Sequence, residues 1–168
     1  MGLRAKLLKE IPVFGGLNEE TIQFILDKAN HLTAKKGTFL FREGDHTASM
    51  YVLETGQISI LKTANDHSYL LRQMEVGDCI GEMALFDFMP RSASAYVMED
   101  AEMIEITSAM LMDVYNFDLE QFALIQMNMG REVTRRLRVA DERCFQHRIE
   151  ASIKDGSIEF FEMDNDFS

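Results

Sequence analysis

The residues best suited to chemistry in this sequence are Glu82 and Arg91, within the run Gly81-Glu82-Met83-Ala84-Leu85-Phe86-Asp87-Phe88-Met89-Pro90-Arg91-Ser92-Ala93-Ser94-Ala95. The run offers an acid, a stretch able to form a short helical turn, then an arginine followed by small residues. A phosphate with one negative charge is matched by a buried arginine through a charge-assisted, often bidentate hydrogen bond that lysine copies poorly. Backbone amides at the start of a turn over 83–86 can add donors to the same oxygens. The small side chains of Ser92 and Ala93 let a ligand approach the main chain. A carboxylate facing that phosphate would be repelled, so Glu82 is suited instead to accept the hydrogen bond of a ribose 2′-hydroxyl. Acid and arginine then grip opposite ends of one ribose phosphate, which are the parts a cyclic mononucleotide needs. The competing reading is an ordinary intramolecular salt bridge between Glu82 and Arg91.

Other constellations carry less. His31, His46, His67 and His147 are scattered and include no His-x-His pair, so neither a metal site nor a cupin-like metalloenzyme is expected. No Ser, His and Asp set resembles a triad, and no catalytic residue is assigned. Asp45 and Asp78 read as turn formers bonding their own backbone, and the 12 methionines as adaptable core.

The elements that must position Glu82 and Arg91 follow from periodicity. Residues 3–9 and 18–30 have helical spacing, with Asn18 as cap candidate for the second, giving an N-terminal helical segment over 1–30. Over 31–106 the texture changes to short apolar runs, Thr38-Phe41, Met50-Leu53, Ile58-Leu61, Tyr69-Leu71, Ser94-Val97 and Met103-Ile106, punctuated by Gly44-Asp45, Gly56 and Gly77-Asp78. Several short strands at regular turn spacing predict an all-β roll or barrel. Arg42-Glu43-Gly44-Asp45 and Glu75-Val76-Gly77-Asp78 form a weak internal echo, each a corner where glycine can take positive φ. Over 107–149 the pattern is helical again, first to about Phe117, then as a long run from Asp118 to about Arg148. There Phe122, Ile125, Met129, Val133, Leu137, Ala140, Cys144 and His147 form one stripe. A helix of about 30 residues extends about 45 Å, too long for a small roll alone, so the stripe is expected to meet a second copy of itself; packing on its own roll is the alternative. Gly130 would weaken the helix or permit a close crossing. Residues 150–168 form an acidic tail.

With 168 residues and 46% apolar content the chain is the size of one domain with its own core. A formal charge of −11 disfavours a nucleic-acid surface. Cys79 and Cys144 match no metal or disulfide framework and read as reduced thiols in cytosol. The N-terminus lacks a signal peptide or myristoylation motif, and no segment is long and apolar enough to span a bilayer. A cytoplasmic protein is expected.

The run Gly81-Glu82-Met83-Ala84 followed by Arg91-Ser92-Ala93 resembles the phosphate-binding cassette of the cyclic-nucleotide-binding family, whose members include the catabolite activator protein, kinase regulatory subunits and gated channels. The stretch Gly44-Asp45-His46-Thr47-Ala48-Ser49-Met50-Tyr51-Val52-Leu53-Glu54-Thr55-Gly56 resembles the family's other signature. The resemblance runs from about Ile11 to Arg148. It implies a mainly β fold with flanking helices: a double-stranded β-helix (jelly roll) with N-terminal helices and a long C-terminal helix beside the base. It also implies that Glu82 binds the ribose hydroxyl, that Arg91 and Ser92 bind the cyclic phosphate, and that the amides of Met83, Ala84 and Ala93 lie close by. The activator's two adenine-contacting hydroxyl positions correspond here to Ala140 and Asp141. Aspartate can accept from the adenine amino group or from guanine N1–H and N2–H₂; Ser92, where many cGMP-preferring members have Thr, favours cAMP over cGMP. Too few residues follow Arg148 for a helix-turn-helix, so no DNA-binding domain is expected and signalling would pass to a protein partner. A ligand-free dimeric scaffold is the alternative function.

Overall fold

The computed structural model describes residues 2–156, which fall into two compact units divided in sequence after Glu132. The first begins with helix α1 (Leu3–Glu10), a 3₁₀ turn (Pro12–Phe14) and helix α2 (Glu19–Lys28). Asn18 caps α2 by accepting from the Thr21 amide at 2.8 Å, while Glu19 and Glu20 in the first turn and Lys28 in the last complement the helix dipole. Six strands follow: β1 (Asn30–Ala34), β2 (Phe39–Phe41), β3 (Ser49–Ala64), β4 (His67–Met74), β5 (Cys79–Ile80) and β6 (Ser94–Thr107), with helix α3 (Glu82–Asp87) between the last two. Pairing is antiparallel in the order β1-β6-β3-β4; β2 also pairs with β6, and β5 with β3.

Two of these strands are longer than their sequence pattern suggests. Met50-Leu53 and Ile58-Leu61 read as separate runs, as do Ser94-Val97 and Met103-Ile106, yet each pair is one continuous strand. The register of β3 against β6 shifts at Leu53/Thr55, Thr55/Gln57 and Gln57/Ile58. Gly56 therefore marks irregular pairing inside β3, where the strand bends while its ladder continues. Helix and strand also meet earlier than periodicity predicts. Helix α2 stops at Lys28, Ala29 is extended, and β1 starts at Asn30 because its backbone pairs with Ala101–Glu105 of β6.

Alternation along β3 and β6 divides the interior. Met50, Val52, Ile104 and Ile106 join a core shared with Leu8, Phe14, Ile22 and Ile25 of the helical segment. Tyr51, Leu53 and Met103 point the other way, into a second core with Phe41, Ile58, Ile60, Met74, Ala95 and Val97 inside the roll. Helix α4 (Ser108–Phe117), capped by Thr107, adds Met110, Leu111 and Val114 to the first core.

Helix α5 (Leu119–Asp155) starts at Asp118, whose carboxylate accepts from the amides of Glu120 and Gln121. In the first unit its Ile125 and Met129 are buried, and Asn128 donates through Nδ2 to the carbonyls of Gly15 at 2.8 Å and Val13 at 3.3 Å. In the second unit Val133 is half-buried, and the rest of the expected stripe, Leu137, Ala140, Cys144 and His147, is exposed. The helix passes the expected end at Arg148 because Ile149–Asp155 contain no Gly or Pro, so the tail's first residues are helical. The remainder of the tail, 157–168, lies outside the described residues. Among the described residues no helix is long and apolar enough to cross a membrane, and no group of three His, Cys, Asp or Glu could hold a metal ion.

Candidate cyclic-nucleotide site

The two corners of the sequence echo have one geometry. In each, the aspartate side chain accepts from the amide three residues back, Asp45 from Arg42 at 2.7 Å and Asp78 from Glu75 at 3.0 Å, and the glycine between them has φ +87° or +91°. Each corner then clamps a segment of the site. At the first, Gly44 N–H donates to the Arg91 carbonyl and Arg91 N–H donates to the Asp45 carbonyl, both at 2.9 Å. At the second, Gly77 N–H donates to the Leu53 carbonyl and Leu53 N–H to the Asp78 carbonyl, feeding the chain into β5 beside Tyr51 and Val52. The corners thus carry Arg91 and Glu82 to the same end of β3.

Arg91 is 4% exposed. Its Nε donates to Thr47 Oγ1 at 2.9 Å, Nη1 to the Gly81 carbonyl at 3.3 Å, and Nη2 to the Ser49 carbonyl at 2.6 Å and Ser49 Oγ at 3.3 Å. The guanidinium also lies over the ring of Phe41, 4.2 Å from its centroid, with Tyr51 at 5.6 Å. Burial pulls its pKa below the ordinary arginine value, while Tyr51, Glu82 and Asp45 act in the opposite sense. Arginine nevertheless stays charged, so a cation is held inside the roll whose hydrogen bonds go to the neutral oxygens of Thr47, Gly81 and Ser49, with the Glu82 and Asp45 carboxylates acting on it electrostatically. Burial likewise pushes the Tyr51 hydroxyl, which accepts from Ser49 Oγ at 3.0 Å, above its usual value.

Glu82 opens α3 and is 1% exposed; its Oε2 atom is buried and accepts no hydrogen bond. Gly81 makes this junction possible. It sits at φ +92°, a left-handed conformation that side chains disfavour, and a Cβ there would overlap Arg91 Nη1 and lie 2.7 Å from the Ser49 carbonyl oxygen. Ala84 and Ala93 are buried, and Met83 and Ser92 are exposed. Gly81 and Glu82 are thus brought to the Arg91 guanidinium, with Met83 and Ala84 following them in α3 and Ser92 and Ala93 following the arginine. Ala140 and Asp141 are exposed residues of α5 in the second unit. Sequence reading missed Phe41, Thr47, Ser49 and Tyr51. The signal of Thr47, Ser49 and Tyr51 was hydroxyls and an aromatic alternating with apolar residues leading into a strand, while Phe41 ends β2.

The family described as "Cyclic nucleotide-binding domain" matches residues 31–117, slightly more than half the chain and the whole of this cluster. The chain belongs to that family. It is 29% identical over 135 residues to the cyclic AMP receptor protein of Thermus thermophilus, covering 80% of this chain and 61% of that protein, so the chain spans about three-fifths of that relative's length. Among solved structures it resembles the Thermus thermophilus catabolite activator protein, with TM-score 0.74 and 26% identity over 83% of this chain and 64% of that one. A cyclic nucleotide-binding domain from Methylobacillus flagellatus superposes with TM-score 0.75 and 21% identity over 86% of this chain and 82% of that one, a likeness of fold alone. The roll is thus the family's jelly roll, with flanking helices and a long C-terminal helix.

Because Gly81 combines a left-handed backbone with close approach to Arg91, Gly81→Ala should cost about 1–3 kcal/mol of stability, read as a lower urea midpoint with unchanged m-value. A midpoint equal to the parent's would mean that the β5–α3 junction relaxes without strain.

Proposed function

We propose that the chain is a regulatory module that binds a cyclic purine mononucleotide, cAMP in preference to cGMP, and signals to a protein partner without catalysing a reaction itself. The observation that carries this reading is the Arg91 guanidinium, buried, charged and oriented by neutral oxygens next to small residues. A singly charged cyclic phosphate supplies the counter-charge such a cation favours. In this reading Arg91 and Ser92 meet the phosphate with the amides of Met83, Ala84 and Ala93. Glu82, at the mouth of α3 beyond Gly81, accepts from the ribose 2′-hydroxyl. Ala140 and Asp141 of α5 meet the base. The preference for cAMP follows from Ser92 after the arginine and from the relative named as a cyclic AMP receptor protein.

The exposed continuation of the α5 stripe, with Leu137 60% exposed, supports a second copy as its cover, in a parallel pairing over about 118–148. A ligand that favours one arrangement of α5 shifts its population, and the altered helix surface is what a partner protein would read. The net charge of −11 argues against nucleic acid as that partner. The absence of disulfide spacing in the sequence suits the cytoplasm.

Four measurements test the reading. Saturating cAMP should raise the melting temperature by mass action, and in calorimetry Arg91→Ala should weaken cAMP binding by about 2–5 kcal/mol, as for other truncated buried charge pairs, or roughly thirty- to several-thousand-fold. No thermal shift with millimolar cAMP or cGMP would favour a ligand-free scaffold instead, and Arg91→Ala within about threefold of the parent would place the phosphate elsewhere. Asp141→Ala should change the ratio of cAMP to cGMP affinity while leaving ribose and phosphate contacts intact; an unchanged ratio removes Asp141 from the base site. Light scattering should give the mass of a dimer, and a monomer at every practical concentration, with and without nucleotide, would rule out the α5 pairing.

A further inference from the structure

Residues Arg91–Ser94 are fastened to the first corner by more than the Gly44 and Asp45 bonds. Glu43 N–H donates to Ser94 Oγ at 2.9 Å, and Lys62, reaching across from β3, donates through Nζ to the Ser92 carbonyl at 2.6 Å while pairing with the Glu43 carboxylate. The other oxygen of that carboxylate accepts from the Thr63 amide at 3.3 Å. The Lys62 hydrogen bond first, and the Thr63 amide second, hold the Glu43 carboxyl below its usual range, so it stays ionised at neutral pH.

The Ser92 carbonyl and the Ala93 N–H belong to one peptide unit. No described peptide bond is cis, and in a trans unit the C=O and N–H point in opposite directions. Turning the carbonyl towards Lys62 therefore aims the Ala93 amide away from Lys62. An ammonium donating to that carbonyl also polarises the unit and strengthens its N–H as a donor. We propose that Lys62, held by Glu43, is a positioning residue for the anion: it orients and polarises the 92–93 peptide so that the Ala93 amide donates to the ligand phosphate. The proposal rests on the nucleotide reading of the site and adds to it a cation on the far side of the peptide from the phosphate. Lys62 and Glu43 side chains are 46% and 32% exposed, so their pairing adds little to stability, and replacing Lys62 should leave the fold intact.

The test uses the full chain, ¹⁵N-labelled, with Lys62→Met and Lys62→Arg. A donor to the preceding carbonyl deshields an amide nitrogen, so without ligand the Ala93 nitrogen should move upfield in Lys62→Met and return most of the way in Lys62→Arg. In calorimetry with cAMP, Lys62→Met should bind about tenfold more weakly than the parent, or about 1.4 kcal/mol, and Lys62→Arg within about threefold, at unchanged urea midpoints. An Ala93 resonance indifferent to Lys62→Met overturns the proposal whether or not nucleotide binds. So does unchanged cAMP affinity of Lys62→Met when the parent binds. A parent that binds neither cAMP nor cGMP overturns the nucleotide reading and the phosphate half of this proposal, while the ligand-free shift still reports the hold of Lys62 on the peptide.

Discussion

Taking an arginine out of water is costly unless its charge and its donors are met, and Arg91 is taken out of water at the end of this roll. Much of the local architecture answers that requirement. The carbonyl and hydroxyl of Ser49 come from the start of β3, the hydroxyl of Thr47 from the segment leading into it, and the carbonyl of Gly81 from the turn into α3. The aromatic faces of Phe41 and Tyr51 close the remaining side. Since only glycine fits so close to the guanidinium at position 81, the need to hold the cation also fixes where α3 begins and hence where Glu82 lies. The acid and the arginine are separated in sequence but are placed by one arrangement of hydrogen bonds.

The same strand connects this arrangement to the helices. Tyr51 faces the arginine, and its neighbours on either side, Met50 and Val52, face the core shared with α1, α2, α4 and the first part of α5. A close-packed interior transmits a displacement rather than absorbing it. The aromatic neighbour of Arg91 and the helical core are therefore one residue apart along β3. Asn128 extends the connection, because its amide ties α5 to the Val13 and Gly15 carbonyls of the N-terminal segment. The helical segment and the start of α5 form one packed unit with the roll, which is the physical condition for a binding event in the roll to bias a helix.

Legibility in the sequence followed the range of each interaction. Glu82, Arg91 and the small residues after the arginine were readable because the cassette is local and its residue types are demanded by the chemistry. Asn18 and Asp118 were readable as helix starts for the same reason. The hydroxyls of Thr47 and Ser49 were not assigned a role, since their value depends on how the chain enters β3 and on a partner more than forty residues away. The continuity of β3 and β6 was hidden because irregular pairing around Gly56 looks, in sequence, like a turn. The end of α2 was misjudged because pairing with β6 overrides helical periodicity at Asn30. Ala140 and Asp141 rested on resemblance alone, and an exposed helix face offers no local chemistry by which to check them.

An acidic chain that receives an anion appears self-defeating, and the resolution lies in where each charge sits. Charges on the surface are screened over about 8 Å at physiological ionic strength, so most of the −11 acts weakly at the cassette. Arg91 is buried, and a buried cation is screened far less. The acids nearest the site are each held by the structure. Asp45 accepts from the Arg42 amide, Glu43 is paired with Lys62, and Glu82 sits at the head of α3. In the nucleotide reading, a polyanion would meet the repulsion of the acidic surface over its whole length, whereas a ligand with one negative charge would meet the buried counter-charge of Arg91.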